Sequence, residues 1–284
     1  MKVLELKELN EEQVKEIRKL EGICKQHDGL KGDVFLSSDL SFNKEVNCFF
    51  LGYKDDVLVS FLSMFIPTSE EAEISAYTLP LERNKGYFKL LLKKSMEEIK
   101  KYGVNEMLFV QEAESKAAKC VLKNLNAKYD FSEYLLVYNS NKGLKSRGIL
   151  SLVPVQRENA DEIAEVYVDI YNNTLEMAQS MVNRALDSED REPYMVKLND
   201  EIVGVGSISL ENNDGLICGL GILQKYRGLG YGKELLNLLI EKMLDMDIKD
   251  ILLEVDSKNH IAYNLYINNG FEIKTQFDYY RYEL

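Results

Sequence analysis

The sequence predicts an α/β fold with a mixed, mostly antiparallel sheet flanked by helices, and predicts it twice in one chain. Three observations carry this. Amphipathic helical segments alternate with short apolar strand runs. Pairs of those runs flank short polar turns, as hairpins do. One ungapped offset also relates the two halves: Arg83 and Arg227 stand 144 apart, as do Gly86 and Gly230, Tyr87 and Tyr231, Leu91 and Leu235, and Ala118 and Ala262. An offset spanning a turn, a helix, a strand and another helix marks a duplicated domain, not a short solenoid repeat. At 284 residues and 45% apolar, the chain has room for two domains with a core each.

Each half opens on a helix. Leu9–Leu20 places Val14, Ile17 and Leu20 on one face, with Asn10 as N-cap and Gln13 completing a capping box. Asn159–Tyr171 repeats the spacing with Ile163, Val166 and Ile170. Hairpins follow: Cys48–Tyr53 with Val57–Met64, and Tyr194–Leu198 with Ile202–Leu210. An Asn212-Asn213-Asp214-Gly215 turn leads into a strand, Leu216–Leu223. Lys233–Met246 reads as a helix with Leu235, Leu236, Leu239, Ile240, Met243 and Leu244 on one face. Ile251–Val255 is a short strand, and His260–Asn268 a short helix that Asn269-Gly270 ends. Strand-like runs at Tyr134–Tyr138 and Phe277–Tyr282 close the two halves. The polar stretch Asn139–Gly148 reads as a linker, which gives domains 1–143 and 148–284.

Charge is uneven. Of 35 basic and 47 acidic residues, 23 of each sign lie in 1–147, so the net −12 belongs to 148–284. Such a half repels nucleic-acid phosphates and suits a cationic partner such as an amine, although acidity of this kind also serves plain solubility. No stretch is long and apolar enough to span a membrane, and the start carries no apolar signal core, so a cytoplasmic protein is expected. Cys24, Cys48, Cys120 and Cys218 are far apart, and the only histidines are His27 and His260, so free thiols and no metal site are expected.

The sharpest motif is Arg227-Gly228-Leu229-Gly230-Tyr231-Gly232, at the junction of a strand and a helix. N–H groups at a helix start are unpaired, and the helix dipole adds positive potential there. Glycines let the backbone approach a bulky anion, so the turn suits a pyrophosphate. A nucleotide P-loop is excluded because Glu234 follows Lys233, and the G-x-G-x-G spacing does not match a dinucleotide fingerprint. Gly219 and Gly221, just upstream, mark either a bulge that opens two strands or merely weak strand positions.

A second block, Leu253–Phe271, contains Asn259-x-x-Ala-x-x-Leu-Tyr-x-x-x-Gly-Phe271. Together, Arg-x-x-Gly-x-Gly and this block resemble the signature blocks of the Gcn5-related N-acetyltransferases (GNAT). The resemblance is close over Leu220–Phe271 and extends in pattern over about 150–284. It implies two tandem acyl-CoA N-acyltransferase folds, with acetyl-CoA as co-substrate and direct attack by a primary amine in a ternary complex. It also implies that Leu220, Gly221 and Ile222 offer backbone groups to the pantetheine arm. Arg227, Gly228, Leu229, Gly230, Tyr231 and Gly232 would hold the pyrophosphate, and Asn259 the pantetheine region. Tyr266 would be the general acid for the leaving thiolate. Glu254 matches a proposed base in the ribosomal-protein alanine acetyltransferases, which share its Leu-Glu-Val lead. Each role has a plainer alternative: Asn259 as a helix cap, Tyr266 as core packing, Glu254 as a strand residue in a salt bridge.

The N-terminal copy departs from the motif. Asn84 replaces Gly228, Phe88 replaces Gly232, Ser115 replaces Asn259, Leu122 replaces Tyr266, and Asn126-Ala127 replaces Gly270-Phe271. Leu122 has no proton to give, and Phe88 would crowd a phosphate. This copy is expected to be degenerate. The expected function is therefore acetyl transfer to a small molecule or a peptide or protein N-terminus in the C-terminal copy, by a monomer or homodimer; the alternative is a non-catalytic acyl-CoA-binding protein.

Overall fold

The computed structural model describes residues 2–39, 41–139, 146–211 and 214–284. Two compact units form: one from Met1–Glu133 with Thr275–Leu284, the other from Tyr134–Lys274. The expected boundary lay between 143 and 148, partly outside the described residues; the units divide at Glu133 and Tyr134 and again at Lys274 and Thr275.

The first unit begins with strand β1 (Lys2–Leu6) and helix α1 (Glu11–Asp28). The capping box is present: Asn10 accepts from the Gln13 N–H while the Gln13 side chain accepts from the Asn10 N–H, and Gly29 ends the helix at φ 73°. β2 (Phe49–Lys54) and β3 (Val57–Phe65) form the first hairpin. Asp55 and Asp56 both take positive φ, the geometry a two-residue hairpin turn demands. β4 (Glu71–Thr78), α2 (Tyr87–Lys100), β5 (Glu106–Glu112) and α3 (Lys116–Leu125) follow, then β6 (Lys128–Tyr138), which continues into the second unit. The strand order is β1-β2-β3-β4-β5, antiparallel except for the parallel β4–β5 pair. The last strand of the chain then pairs antiparallel with β5, from Phe277 opposite Glu112 to Glu283 opposite Glu106. Phe49, Phe50, Phe61, Leu62, Leu91 and Ile99 fill the core between sheet and helices.

The second unit contains β7 (Ser151–Pro154), α4 (Ala160–Tyr171), α5 (Leu175–Asp187), β8 (Arg191–Leu198), β9 (Glu201–Glu211), β10 (Asp214–Ile222), α6 (Tyr231–Asp245), β11 (Asp250–Asp256) and α7 (His260–Ile267). The final strand, β12 (Phe271–Glu283), starts here and ends in the first unit. The order is β11-β10-β9-β8-β7, with β10–β11 the parallel pair. Two cores lie on this sheet. One packs Leu235, Leu236, Leu239, Ile240 and Met243 of α6 against it; the other packs Ile163, Tyr167, Ala178 and Val182 of α4 and α5. Alternate residues of β8 enter different cores, Tyr194 and Val196 the first and Met195 the second, as a strand between two layers requires.

The duplication is visible residue for residue. α2 and α6 begin at Tyr87 and Tyr231, β5 and β11 at Glu106 and Asp250, α3 and α7 at Lys116 and His260. Some details differ from expectation. Leu244 is 46% exposed, not on the buried face of α6. Periodicity alone did not indicate α5, whose inward positions include small Ala178 and Ala185; its Thr174 cap, accepting from the Met177 N–H, was the available signal. Asn212 and Asn213 of the expected turn lie outside the described residues.

Candidate active site

Strands β10 and β11 run together for only four residues, from Asp214 opposite Asp250 to Ile217 opposite Leu253. Past that point both continue without pairing, β10 to Ile222 and β11 to Asp256, so a gap opens between them. On the other edge of β10 the ladder with β9 shifts: Cys218 faces Ser207, while Gly221 faces Val205. One extra residue therefore sits in β10, which makes a bulge. Gly219 occupies it at φ +61°, a conformation glycine adopts without strain. Gly221 is small for another reason, since a Cβ there would lie 2.3 Å from Ile170 Cγ2. A Cβ on Gly204 would lie 2.4 Å from the Gly221 carbonyl oxygen. Gly219 and Leu220 are thus released from regular pairing on both edges, and Gly221 and Ile222 from pairing with β11. This is where the sequence placed its strand-like backbone contacts.

The gap forms a cavity of about 200 Å³ lined by Cys218, Gly219, Leu220, Glu254 and Tyr266 among others. Tyr266 reaches it from α7 and is 7% exposed, with its ring against Phe271 at a centroid distance of 6.0 Å. Burial pushes its phenol up to about 12, so the proton stays on at neutral pH. Glu254 reaches the cavity from β11 with an exposed side chain. The structure thus brings the expected acid and base to one cavity. Burial pushes the Cys218 thiol up, away from the thiolate form a nucleophile needs.

The glycine turn adjoins the end of β10. Gly228 and Gly230 take φ of 78° and 82°, and Gly230 is the N-cap of α6 with no side chain capping the helix. A Cβ on Gly228 would meet nothing within 4 Å, so the approach is open. Gly232 lies inside the first turn of α6, where its size, not its conformation, keeps the helix start clear. Leu229 is 54% exposed beside it. Arg227 is committed to the fold: Nε donates to the Ile222 carbonyl at 3.0 Å and Nη2 to the Ile170 carbonyl at 3.2 Å. Asn259 is the N-cap of α7, its Oδ1 accepting from the Ala262 N–H at 3.1 Å; the cap leaves its Nδ2 donor uncommitted to that bond.

Sequence reasoning missed two groups. Arg147, in the stretch read as a linker, belongs to the second unit, and its guanidinium lies beside the glycine turn. A Cβ on Gly230 would be 3.4 Å from its Nη2, and its Cζ is 5.9 Å from the Tyr231 ring centroid. The Arg147 N–H donates to both Glu234 oxygens at 2.8 Å, and the Ser146 hydroxyl to one of them at 2.9 Å. Burial opposes ionisation of Glu234, but these donors and the Gly148 and Ile149 N–H groups hold its carboxyl below the usual range. No short motif marks Arg147; its basic side chain just before the expected domain start was the only hint. The second missed group is Tyr167, Tyr171 and Arg191, which stand behind the bulge.

Comparisons with known proteins give the family and the fold. The profile of the Acetyltransferase (GNAT) family matches residues 14–126 and again 156–271. No curated protein matches the sequence significantly. Among solved structures, a GCN5-related N-acetyltransferase from Sphaerobacter thermophilus is similar at a TM-score of 0.75 and 17% identity, over 94% of this chain and 91% of that one. A tandem GNAT protein from the clavulanic acid biosynthesis pathway is similar at 0.68 and 14%, over 83% and 82%. A GNAT-family acetyltransferase from Colwellia psychrerythraea is similar at 0.65 and 12%, over the full length of both chains. At these identities the likeness concerns the fold.

Proposed function

This chain belongs to the acetyltransferase (GNAT) family, and from that premise we propose that its second unit transfers an acetyl group from acetyl-CoA to a primary amine. The observation that carries the reading is the gap beside the β10 bulge, which joins an uncapped helix start at one end to a cavity holding Tyr266 and Glu254. Backbone groups of Gly219–Ile222 are left for the amides of a pantetheine arm. The N–H groups at the start of α6, opened by Gly228 and Gly230, suit a pyrophosphate. Arg147 adds a cation at that place, a phosphate ligand in this reading.

The chemistry asks two things of the side chains. The amine must lose a proton to attack, and Glu254, directly or through water, takes it. Nitrogen then bonds to the thioester carbonyl carbon, the carbon–sulfur bond breaks, the phenol of Tyr266 gives its proton to the departing sulfur, and the extra proton left on nitrogen restores the phenol, directly or through water. No acyl-enzyme is needed, in keeping with the neutral thiol of Cys218. Asn259 Nδ2 would donate to the pantetheine region. The first unit keeps the fold without the motif residues that the reaction uses. We place the enzyme in the cytoplasm, where free thiols such as Cys24, Cys48, Cys120 and Cys218 persist.

Calorimetry with acetyl-CoA tests this reading, on the intact protein and on Gly230→Trp. One binding site, lost in the variant, is expected. Absence of binding to the intact protein would refute the reading, and two sites would refute the assignment of the first unit as degenerate.

A further inference from the structure

Behind the bulge, on the face of the sheet that α4 and α5 cover, polar groups converge. Tyr167 and Tyr171 are one turn apart on α4, with ring centroids 5.3 Å apart at 62°. Arg191 opens β8, and Ser207 lies on β9 opposite Cys218. A Cβ placed on Gly219 would sit 3.6 Å from Arg191 Nη2, 3.7 Å from Tyr167 Oη and 3.7 Å from Tyr171 Oη. Three polar tips therefore ring the one residue that also lines the Tyr266 cavity. The Tyr171 hydroxyl and Arg191 Nε are buried and have no hydrogen-bond partner, while the Ser207 hydroxyl, 0% exposed, is within reach of Tyr167 Oη.

Burying a guanidinium nitrogen without a partner is unfavourable unless a ligand supplies one. Arg191 as a whole is half-buried, so water reaches part of its guanidinium, but its Nε stays without a partner. Among the described residues Arg191 makes no salt bridge, although Asp190 and Glu192 flank it in the chain; Glu254 acts on Cys218 from the cavity side. Burial also keeps both phenols protonated, so they can donate. A carboxylate matches this set: a planar acceptor for the guanidinium fork with further lone pairs for the hydroxyls.

We propose that Arg191, Tyr167 and Tyr171 form an acceptor subsite that binds a carboxylate carried by the amine substrate. The inference rests on the acetyltransferase reading and names its substrate class. The phosphate cradle lies on the α6 side of the sheet, so the acceptor enters from the α4 side, where this cluster stands. Because the cluster meets the cavity at Gly219, the carboxylate lies a few bonds from the reacting nitrogen, as in an α- or β-amino acid. The acidity of the half as a whole acts on approach; at the bulge Arg191 supplies a cation behind Gly219, and Glu254 stands on the cavity side.

The test measures acetyl transfer to short amino acids and to their carboxamides, with acetyl-CoA binding measured on the same preparations. The wild type is expected to favour the acids by at least about tenfold in kcat/KM. Arg191→Met should reduce that preference to less than about threefold, mainly through KM, and Arg191→Lys should restore part of it. Acetyl-CoA affinity and Tm should stay close to wild type. If no panel member turns over, titration of N-acetylglycine into the CoA-saturated protein decides: binding that Arg191→Met abolishes supports the subsite, and no binding overturns it. Equal use of acids and amides, a preference for aminophosphonates over both, or an unchanged preference in Arg191→Met would each overturn it. A wild type that binds no acetyl-CoA would instead refute the underlying acetyltransferase reading.

Discussion

The turn from Leu79 to Tyr87 and the turn from Leu223 to Tyr231 have nearly the same backbone. Leu79 and Leu223 have φ of −47° and −51°, Arg83 and Arg227 of −66° and −68°, and Gly86 and Gly230 of 86° and 82°. Asn84 holds the left-handed position of Gly228, at φ 62° against 78°. Each arginine donates through Nε to the last residue of the preceding strand, Thr78 or Ile222. In the first unit the guanidinium also grips Asp28 with two bonds, at 2.9 and 2.5 Å. The loop is therefore a structural unit in its own right. Asparagine tolerates the left-handed conformation well enough to preserve the loop without the glycine.

What separates the two units lies beside the loop. β4 has eight residues, β10 has nine. The β3–β4 ladder runs without a shift from Ser60 opposite Thr78 to Phe65 opposite Glu73, so the bulge is absent. Tyr77 stands opposite Phe61 with ring centroids 6.0 Å apart, at the position that in the second unit is Gly221, where Ile170 leaves no room for a side chain. Behind the strand, Lys31 and Gly32 donate their N–H groups to the buried carboxylate of Glu112. A Cβ on Gly32 would lie 2.3 Å from Phe277 Cζ. The parallel pair β4–β5 ends after four residues, as β10–β11 does, so both units splay there and the bulge is what the first one lacks.

Exchanging residues between the units is the strongest way to break this comparison. Gly232→Phe gives the second unit the Phe88 ring and should weaken acetyl-CoA binding by about 100-fold or more, while Phe88→Gly should create no second site, because the bulge is still missing. Calorimetry on both variants reads this, and a new site in Phe88→Gly would show that the side chain alone disabled the first unit. Tyr266→Phe should lower kcat on the order of 100-fold with little change in acetyl-CoA affinity. Its removal from the wild type's pH profile should matter little below about pH 10, since the phenol is protonated throughout. Full kcat in Tyr266→Phe would leave that side chain a packing role only.

Smaller effects concern stability. Gly204→Ala presses on the Gly221 carbonyl and should destabilise by about 1–3 kcal/mol, whereas Ser60, facing Thr78 as Gly204 faces Ile222, has room for a side chain. Denaturant unfolding checks this; an unaffected Gly204→Ala would mean the strands can spread. The smallest expected effect is a pH-dependent one. Arg83 holds the Asp28 carboxyl below its usual range, with His27 adding to it. A depressed carboxylate stabilises fully above its unfolded pKa, and that stability is lost as pH falls through the folded value. Asp28→Asn should thus lower Tm by a few degrees at pH 7, and the difference from wild type should shrink below about pH 4. A difference constant over that range would mean the ion pair contributes nothing beyond its shape.

The residues themselves determined much of this protein. Periodicity and caps located α1, α4, α6 and both hairpins, because local spacing decides which face of an element is apolar. The offset between Arg83 and Arg227 disclosed the duplication, and the glycine and asparagine blocks led to the GNAT family. Gly219 and Gly221 announced an irregular strand, though spacing could not tell a bulge from a weak strand. Tertiary structure alone decided the rest. It sent Thr275–Leu284 to the first unit, since strand pairing joins residues that sequence order keeps far apart. It turned Arg147 from linker to neighbour of the glycine turn through the buried carboxylate of Glu234. It gathered Tyr167, Tyr171 and Arg191 around Gly219 from two elements whose spacing along the chain carries no motif. Motifs are legible where one segment performs the whole task; a pocket built from side chains of several segments exists only once packing has brought them together.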